Sequence, residues 1–220
     1  MTVKYWQTTG GYTMLLLSKN KPFTAEEVVD KANIIELVQF ERFCRDNSLW
    51  DEMKKTYSDH ASIDISWYTG NADKFVDESA KMTSISRAAH RIYNTQVWMN
   101  GDRAIAIMQA TILAEQDIQG IKFNLNSDAK IVYEVQKING EWLINFMTCV
   151  YEADSLIPVV PTADVALDSA DLKQYRSSYA CLAYVLNQKG YQVGQDLPGV
   201  DQPEMVTALY TKMDAWLMGK

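Results

Sequence analysis

The two histidines of this sequence are its best candidates for proton transfer near neutral pH, and their surroundings differ. A neutral imidazole can accept or deliver a proton near pH 7 with modest tuning of its pKa. His90 stands at the start of the first long predicted strand, whereas His60 lies in the polar turn Ser58-Asp59-His60, where we expect it to be exposed. We therefore expect any imidazole chemistry to run through His90. The alternative is a strand-end histidine that is hydrogen-bonded to backbone.

Other kinds of site have no signature in the sequence. Cys44, Cys149 and Cys181 are widely spaced among apolar neighbours and form no CxxC pair, so we expect buried thiols rather than disulfides or a zinc site. There is no HExxH motif and no nucleophile elbow. Gly10-Gly11 lies outside any strand–helix phosphate loop. The sequence therefore predicts no metal and no cofactor.

Helical patterns dominate the first part of the chain. Thr24-Ala25-Glu26-Glu27 is a capping box, in which the threonine and the last glutamate satisfy first-turn amides, and a wide apolar stripe continues to about Asp46. The patterns after it predict a short helix from Leu49 to Thr56, a strand from Ala61 to Trp67, a turn at Thr69-Gly70-Asn71 and a helix from Ala72 to Met82.

From about Ala89 the hydrophobic period changes from helical to two, which is typical of strands. We expect strands from Ile92 to Met99, Ala104 to Glu115, Lys130 to Lys137 and Glu141 to Tyr151. Asn100-Gly101 and Asn139-Gly140 are tight turns, since both residue types accept positive φ, and Gln119-Gly120 also turns the chain. Long strands joined by tight turns form an antiparallel meander, and helices on such a sheet make an α+β fold.

The two ends of the chain are expected to lie outside this core. Residues 1–23 are predicted to be an N-terminal arm, with a hairpin around Gly10-Gly11 as its ordered form. Residues 162–220 are a helical extension, with helices from Asp168 or Ser169 to about Lys189 and from Glu204 to Met218. Their apolar stripes need a surface to cover. The open alternatives are the mouth of a pocket, the outer face of the sheet, and a partner subunit.

Composition narrows the class of protein. The chain has 220 residues, 47% of them hydrophobic, and a net charge of −7, which argues against a nucleic-acid binder with a broad basic surface. The longest apolar run near the start, Met14 to Leu17, is too short for a signal sequence or a membrane span. With three dispersed cysteines, these features predict a cytoplasmic protein.

The order and spacing of several short motifs carry a family resemblance. They are Ile35-Glu36-Leu37-Val38-Gln39-Phe40, Arg45-Asp46-Asn47-Ser48-Leu49-Trp50, Ile63-Asp64-Ile65-Ser66-Trp67, Phe75-Val76, His90, Gly101-Asp102-Arg103-Ala104 and Gly140-Glu141-Trp142-Leu143-Ile144. In these the sequence resembles the SnoaL-like branch of the nuclear transport factor 2-like superfamily, which includes scytalone dehydratase, polyketide cyclases and ketosteroid isomerase-like proteins. The resemblance covers about residues 24–161.

This resemblance implies both a fold and a function. It implies a cone-shaped curved antiparallel sheet with helices packed on its concave side, a deep apolar pocket between them, and a homodimer formed through the sheet. The implied function is a cofactor-independent dehydratase, isomerase or cyclase that acts on a small apolar or aromatic molecule. A non-catalytic ligand-binding or scaffold protein on the same fold is the alternative, because a fold does not imply one function.

The resemblance also implies the site residues. His90 would be the general acid–base, and Asp46, at the end of the first helix, would hold one imidazole nitrogen and fix its tautomer. Tyr68, Gln109 and Asn145 are polar groups on or beside otherwise apolar elements. Tyr68 or Asn145 would polarise a carbonyl or hydroxyl group of the ligand, or these groups could be satisfied inside the sheet. The full set of predicted ligand-binding residues is Tyr68, Trp67, Trp50, Tyr57, Gln109 and Asn145.

Some residues depart from the family pattern or have a second reading. Arg45 stands where scytalone dehydratase-like members have a tyrosine, and their second pocket histidine has no counterpart here. Asp46 could instead cap the short second helix or pair with Arg45. Asp64 could align with the general base of ketosteroid isomerase-like members, but the alternation Ile63-Asp64-Ile65 favours a solvent-facing position.

Overall fold

The computed structural model describes residues 14–85, 88–161 and 169–220. Its elements in chain order are α1 (Ala25–Asp46), α2 (Trp50–Lys54), β1 (Tyr57–Ile65), β2 (Tyr68–Asn71), α3 (Ala72–Ile85), β3 (Ala88–Asn100), β4 (Arg103–Ile118), β5 (Ile121–Ile138), β6 (Glu141–Pro158), α4 (Ser169–Lys173), α5 (Ala180–Gln188) and α6 (Pro203–Leu217). The predicted hairpin around Gly10-Gly11 lies outside the described residues.

The strands form one curved, open sheet in the order β2-β1-β6-β5-β4-β3. Strands β3 to β6 are the predicted antiparallel meander, and the α+β class is confirmed. The pair between β1 and β6 is parallel, which the local patterns did not predict. The chain leaves β2 through α3 and enters the sheet again at the opposite edge as β3. It then reverses direction three times, and the last strand, β6, lies beside β1.

Two predicted features of the strand region are corrected by the structure. The turn expected at Thr69-Gly70-Asn71 lies instead at Ser66-Trp67, because Ile65 pairs with Tyr68 and the predicted turn residues are within β2. The strand expected from Lys130 begins at Ile121, immediately after the confirmed turn at Gln119-Gly120. Phe123, Leu125 and Ser127 are buried at alternate positions, but Asn and Asp residues, which are depleted in strands, lie between and after them and made the segment resemble a loop.

The first predicted helix of the C-terminal extension is interrupted. It was expected to run unbroken to about Lys189, but α4 ends at Lys173 and α5 starts at Ala180. Arg176, in the break, donates to the carboxylate of Asp201 and to the carbonyl of Leu197, and the Ser178 hydroxyl also donates to Asp201, at 2.6 Å. These bonds tie the break between α4 and α5 to the loop that precedes α6.

Helix α1 determines the position of the residues at its C-terminal end. The Thr24–Glu27 capping box is present in full and defines where the helix begins. Ile34 and Val38 are buried against the sheet, which sets the rotation of the helix about its axis. Asp46 is the last residue of α1, so its side chain is held at a defined point beside β3.

The two faces of the sheet carry separate apolar cores. The inner core joins Ala106, Met108, Ile131, Tyr133 and Tyr151 of the sheet to α1, α3 and α5. The outer core joins Ile105, Ile107, Val132 and Val150 to Val206, Tyr210, Met213 and Leu217 of α6, together with Leu16. Since successive strand residues point to opposite faces, the period-two pattern supplies both cores.

The two helices of the C-terminal extension pack on opposite faces of the sheet, and α6 takes one of the places left open by the sequence, the outer face. Helix α5 packs into the inner core, whereas α6 covers part of the outer face. The N-terminal segment joins α6, because the backbone N–H of Leu16 donates to Asp214 at 2.8 Å. The homodimer through the sheet stays a prediction, and any such dimer has to accommodate α6. Among the described residues, no helix is both long and apolar enough to cross a membrane.

A buried carboxyl group under α6 makes stability depend on pH. Glu134 faces the outer core, because Tyr133 and Val135 on either side of it lie in the inner core. Glu134 is only 6% exposed. Burial raises the pKa of Glu134 to about 7, although the positive charge of Lys212, a hydrogen bond with Asn145 and the charge of Arg103 act in the opposite direction.

Glu134→Gln is expected to stabilise the protein at pH 8. Between the unfolded and folded pKa values the native state binds the extra proton, so wild-type stability falls as pH rises through about 7. The glutamine has no charge to bury, and we expect a gain of about 1 kcal/mol, roughly 2–4 °C in melting temperature. The difference should shrink as pH falls below 7 and should be lost only below about 4.5, the ordinary pKa of glutamate. Exposed Glu141→Gln is the matched control, and an equal gain in that variant would contradict the assignment.

Candidate active site

A cavity lies between the concave face of the sheet and helices α1, α3 and α5. Its volume is about 70 Å³, several times the ~10–15 Å³ that one water needs. Most of its wall is apolar side chains from β1, β4, β5, β6 and α5. The polar part of the wall includes Arg42, Arg45, His90 and Lys189. Apolar walls with a few convergent polar groups are typical of small-molecule sites.

His90 and Asp46 form a two-point hydrogen-bonded pair at this wall. The Nδ1 atom of His90 lies 2.7 Å from Oδ1 of Asp46, and the backbone N–H of His90 donates to Oδ2 at 2.7 Å. The side chain of His90 is only 5% exposed. Because Asp46 ends α1 and His90 is the third residue of β3, the packing of this helix on the edge strand brings them together.

The electrostatics of the pair define its protonation state. Burial is the largest effect on His90 and, with the positive charges of Arg42 and Arg45, it lowers the pKa of the imidazole to about 4, against the opposing influence of Asp46. Burial alone would raise the pKa of Asp46, but hydrogen bonds and charge from His90 outweigh it and the pKa is lowered. At pH 7 the pair is therefore an aspartate and a neutral imidazole.

This protonation state leaves one ring nitrogen of His90 as a base. Both oxygens of ionised Asp46 are acceptors, so the proton of the neutral ring is on Nδ1, where it is donated to Oδ1. The lone pair is then on Nε2 of a residue that lines the cavity. The predicted pairing of Asp46 with His90 is present in the structure. The alternative roles of Asp46, as a cap or as a partner of Arg45, are not among the contacts of the described residues.

A buried network next to the pair was not predicted from the sequence. Glu41, with 0% exposure, accepts from Nε and Nη2 of Arg42. It also accepts from the hydroxyl of Tyr57 at 2.6 Å and from that of Tyr133 at 3.3 Å. Burial alone would lower the pKa of Arg42, but the charge of Glu41 raises it well above its usual value. A glutamate on the apolar stripe of α1 was the signal that could have revealed this network.

Trp67 is the predicted ligand-binding residue that lines the cavity, through the turn between β1 and β2. The aromatic residues Trp50 and Tyr57 lie elsewhere. Trp50 packs against the inner core at the start of α2, and the hydroxyl of Tyr57 is engaged by Glu41. Neither is part of the wall formed by the described residues.

The three polar residues that were predicted to bind the ligand also lie away from the wall formed by the described residues. Tyr68 donates to the carbonyl of Asn71 at 2.7 Å. Gln109 is exposed on the outer face, where β4 places every second residue. Asn145 accepts from Ser58 at 3.1 Å and contacts Glu134 under α6. Tyr68 and Asn145 thus bond within the protein, and Gln109 faces solvent.

The exposed acid and histidine take the solvent-facing positions expected from the pattern. Asp64 is exposed and accepts from the hydroxyl of Thr69 at 2.8 Å, as the alternation around it indicated. His60 is exposed as well, but the polar turn predicted at Ser58-Asp59-His60 is wrong, because these residues lie within β1. His90 is therefore the histidine positioned for chemistry at the cavity.

Comparison with known proteins agrees with this geometry. Residues 26–148 match the family described as SnoaL-like domain. The chain belongs to the SnoaL-like family. The predicted membership of the nuclear transport factor 2-like superfamily is confirmed with it. The SnoaL-like match ends within β6, so the cavity wall contributed by Leu182, Val185, Leu186 and Lys189 lies outside it.

Two curated relatives of this SnoaL-like protein come from fungi. Pea pathogenicity protein 2 of Fusarium vanettenii is 27% identical over 176 residues, which cover 78% of this chain and 76% of that protein. The uncharacterized protein AN9274 of Emericella nidulans is 27% identical over 209 residues. The match covers 88% of this chain and 88% of that protein. Neither name states a reaction.

Solved structures show the same SnoaL-like fold at low sequence identity. A hexachlorocyclohexane dehydrochlorinase from Novosphingobium barchaimii has a TM-score of 0.53 and 13% identity, and the match covers 64% of this chain and 97% of that one. The type 2 form of this dehydrochlorinase has a TM-score of 0.52 and 13% identity, with 65% and 97% covered. At this identity the likeness shows the fold alone.

Proposed function

We propose that this SnoaL-like protein is a cofactor-independent lyase or isomerase that moves a proton on a small, largely apolar molecule, with His90 as the base. The observation that carries the proposal is the His90–Asp46 pair at the wall of an apolar cavity, with the imidazole neutral at pH 7. The likeness to the dehydrochlorinases supports the fold and not the reaction. The cytoplasmic location and the homodimer belong to the same proposal.

The proposed reaction uses the two nitrogens of His90 for different tasks. Nε2 takes a proton from carbon next to a carbonyl group, and the electron pair of the broken C–H bond moves into the ligand. Asp46 stabilises the imidazolium that forms, through the bond to Nδ1. The imidazolium then returns the proton, either to a hydroxyl that leaves as water or to another carbon. The first outcome is a dehydration and the second is an isomerisation.

Deuterium exchange tests this proposal without knowledge of the substrate. A panel of one- and two-ring ketones and β-hydroxyketones is incubated with the protein in D₂O, and exchange next to the carbonyl is followed by NMR. We expect exchange with wild type and a loss of about 10²–10⁴-fold in His90→Ala, because a positioned base contributes a factor of this size. With the pKa of His90 lowered to about 4, the rate should fall only as pH drops towards that value.

Exposed His60→Ala is the matched control and should exchange at the wild-type rate. Equal rates for wild type and His90→Ala would overturn the role of His90. Ligands that bind in the cavity without exchange or turnover would favour the alternative, a non-catalytic binding protein.

A further inference from the structure

Arg45 is a buried cation whose hydrogen bonds are incomplete. The residue is 4% exposed and lines the cavity. Its Nη1 atom has no hydrogen-bond partner among the described residues, and Nη2 lies 3.7 Å from the sulfur of Met82, a weak acceptor. No ion pair within the described part of the chain includes Arg45. Buried guanidinium groups are normally satisfied, so the missing acceptor calls for an explanation.

The charges around the cavity favour an anion as that acceptor. The described residues of the wall include three cationic side chains, Arg42, Arg45 and Lys189, and no carboxylate. Arg42 pairs with Glu41, and both oxygens of Asp46 are engaged by His90, so neither carboxylate gives Arg45 a hydrogen-bond acceptor. Burial and the neighbouring charge of Arg42 lower the pKa of Arg45 to about 10, so it remains a cation at pH 7. The charges of Asp46 and Glu41 also act on Arg45, but a ligand without an acceptor would leave its Nη1 without a hydrogen bond.

We propose that Arg45 binds a carboxylate of the ligand, and that the substrate class is therefore small, mainly apolar carboxylic acids. The planar guanidinium matches a carboxylate in shape and donors. This inference rests on the proposed function in taking this cavity as the ligand site, but it does not require catalysis by His90. The carboxylate anchors the ligand beside the α1 end of the cavity, and the apolar part lies along Ile112, Leu125 and Leu186.

Binding of a matched pair of probes tests the inference. Benzoate and the uncharged benzamide have similar shape, and their dissociation constants are measured by calorimetry with wild type and Arg45→Met. We expect benzoate to bind wild type more tightly than benzamide, and to lose about tenfold or more in Arg45→Met. Benzamide should change by less than about twofold. Arg45→Met should fold, since an apolar side chain of similar length replaces an unpaired buried charge.

Arg91→Met is the matched control, because Arg91 is exposed on β3 and its loss changes the net charge equally. It should bind benzoate as wild type does. Arg45→Lys should recover part of the benzoate affinity. Equal losses for both probes in Arg45→Met, or no saturable benzoate binding to wild type, would overturn the inference. His90→Gln separates it from the proposed function, since that variant should keep benzoate binding whether or not wild type catalyses exchange.

Discussion

Asp46→Asn is expected to reduce proton exchange by about 100-fold or more while the protein stays folded. The backbone N–H of His90 needs an acceptor, and in wild type Oδ2 of Asp46 accepts it at 2.7 Å. In the asparagine variant the single amide oxygen takes that position, so the NH₂ group faces Nδ1 of His90. Nδ1 must then be the acceptor, and the ring proton moves to Nε2. The base at the cavity is lost although the imidazole remains.

The tautomer itself is the measurement that separates this mechanism from a structural defect. ¹⁵N NMR of His90 should report a proton on Nδ1 in wild type and on Nε2 in Asp46→Asn. Asp64→Asn is the control, because Asp64 is an exposed acid of β1 that bonds to Thr69. If Asp46→Asn exchanges protons at the wild-type rate, then Asp46 does not position His90.

Glu41→Gln is expected to destabilise the fold by about 3–5 kcal/mol, because it leaves the buried charge of Arg42 without its partner. Glu41 is the carboxylate that Arg42, Tyr57 and Tyr133 all contact. A neutral amide can still accept from a tyrosine, but it cannot neutralise a guanidinium. A domain is typically stable by about 5–15 kcal/mol, so this loss is a large part of the total. The measurement is the free energy of unfolding in urea.

The double variant Glu41→Gln/Arg42→Met tests the cause of that loss. It removes the unpaired charge as well, so it should be more stable than Glu41→Gln alone. Glu36→Gln on the exposed side of α1 should change stability by less than about 0.5 kcal/mol. A double variant that is less stable than the single one would show that Arg42 contributes through packing rather than through its charge.

Local patterns in the sequence were sufficient for most elements, whereas the central pair of the site also needed the family resemblance. The capping box at Thr24, the Asn-Gly turn at residues 139–140 and the period-two strands act over a few residues, so they can be read directly. The scarcity of histidine reduced the candidates to His90, and the family resemblance pointed to Asp46. Contact between these two then depends only on the helix–strand packing of the family fold.

The remaining ligand-binding predictions could not be made from local patterns. Tyr68 and Asn145 were predicted as polar groups beside apolar elements, and Tyr57 as an aromatic residue bounding the pocket, but such groups can bond within the protein as readily as with a ligand. The structure gives each of them a partner in the protein. Gln109 faces outward because the register of β4 assigns it to the outer face.

By itself the sequence determined the α+β class, the strand meander and the single histidine with a plausible acid–base role. Only the tertiary structure decided which polar side chains face the cavity, that α5 completes its wall, and that Arg45 lacks an acceptor there. The physical reason is the range of the interactions. Turns, caps and periodicity involve neighbours in the chain, whereas burial, charge pairing and hydrogen-bond satisfaction depend on residues brought together from distant parts of it.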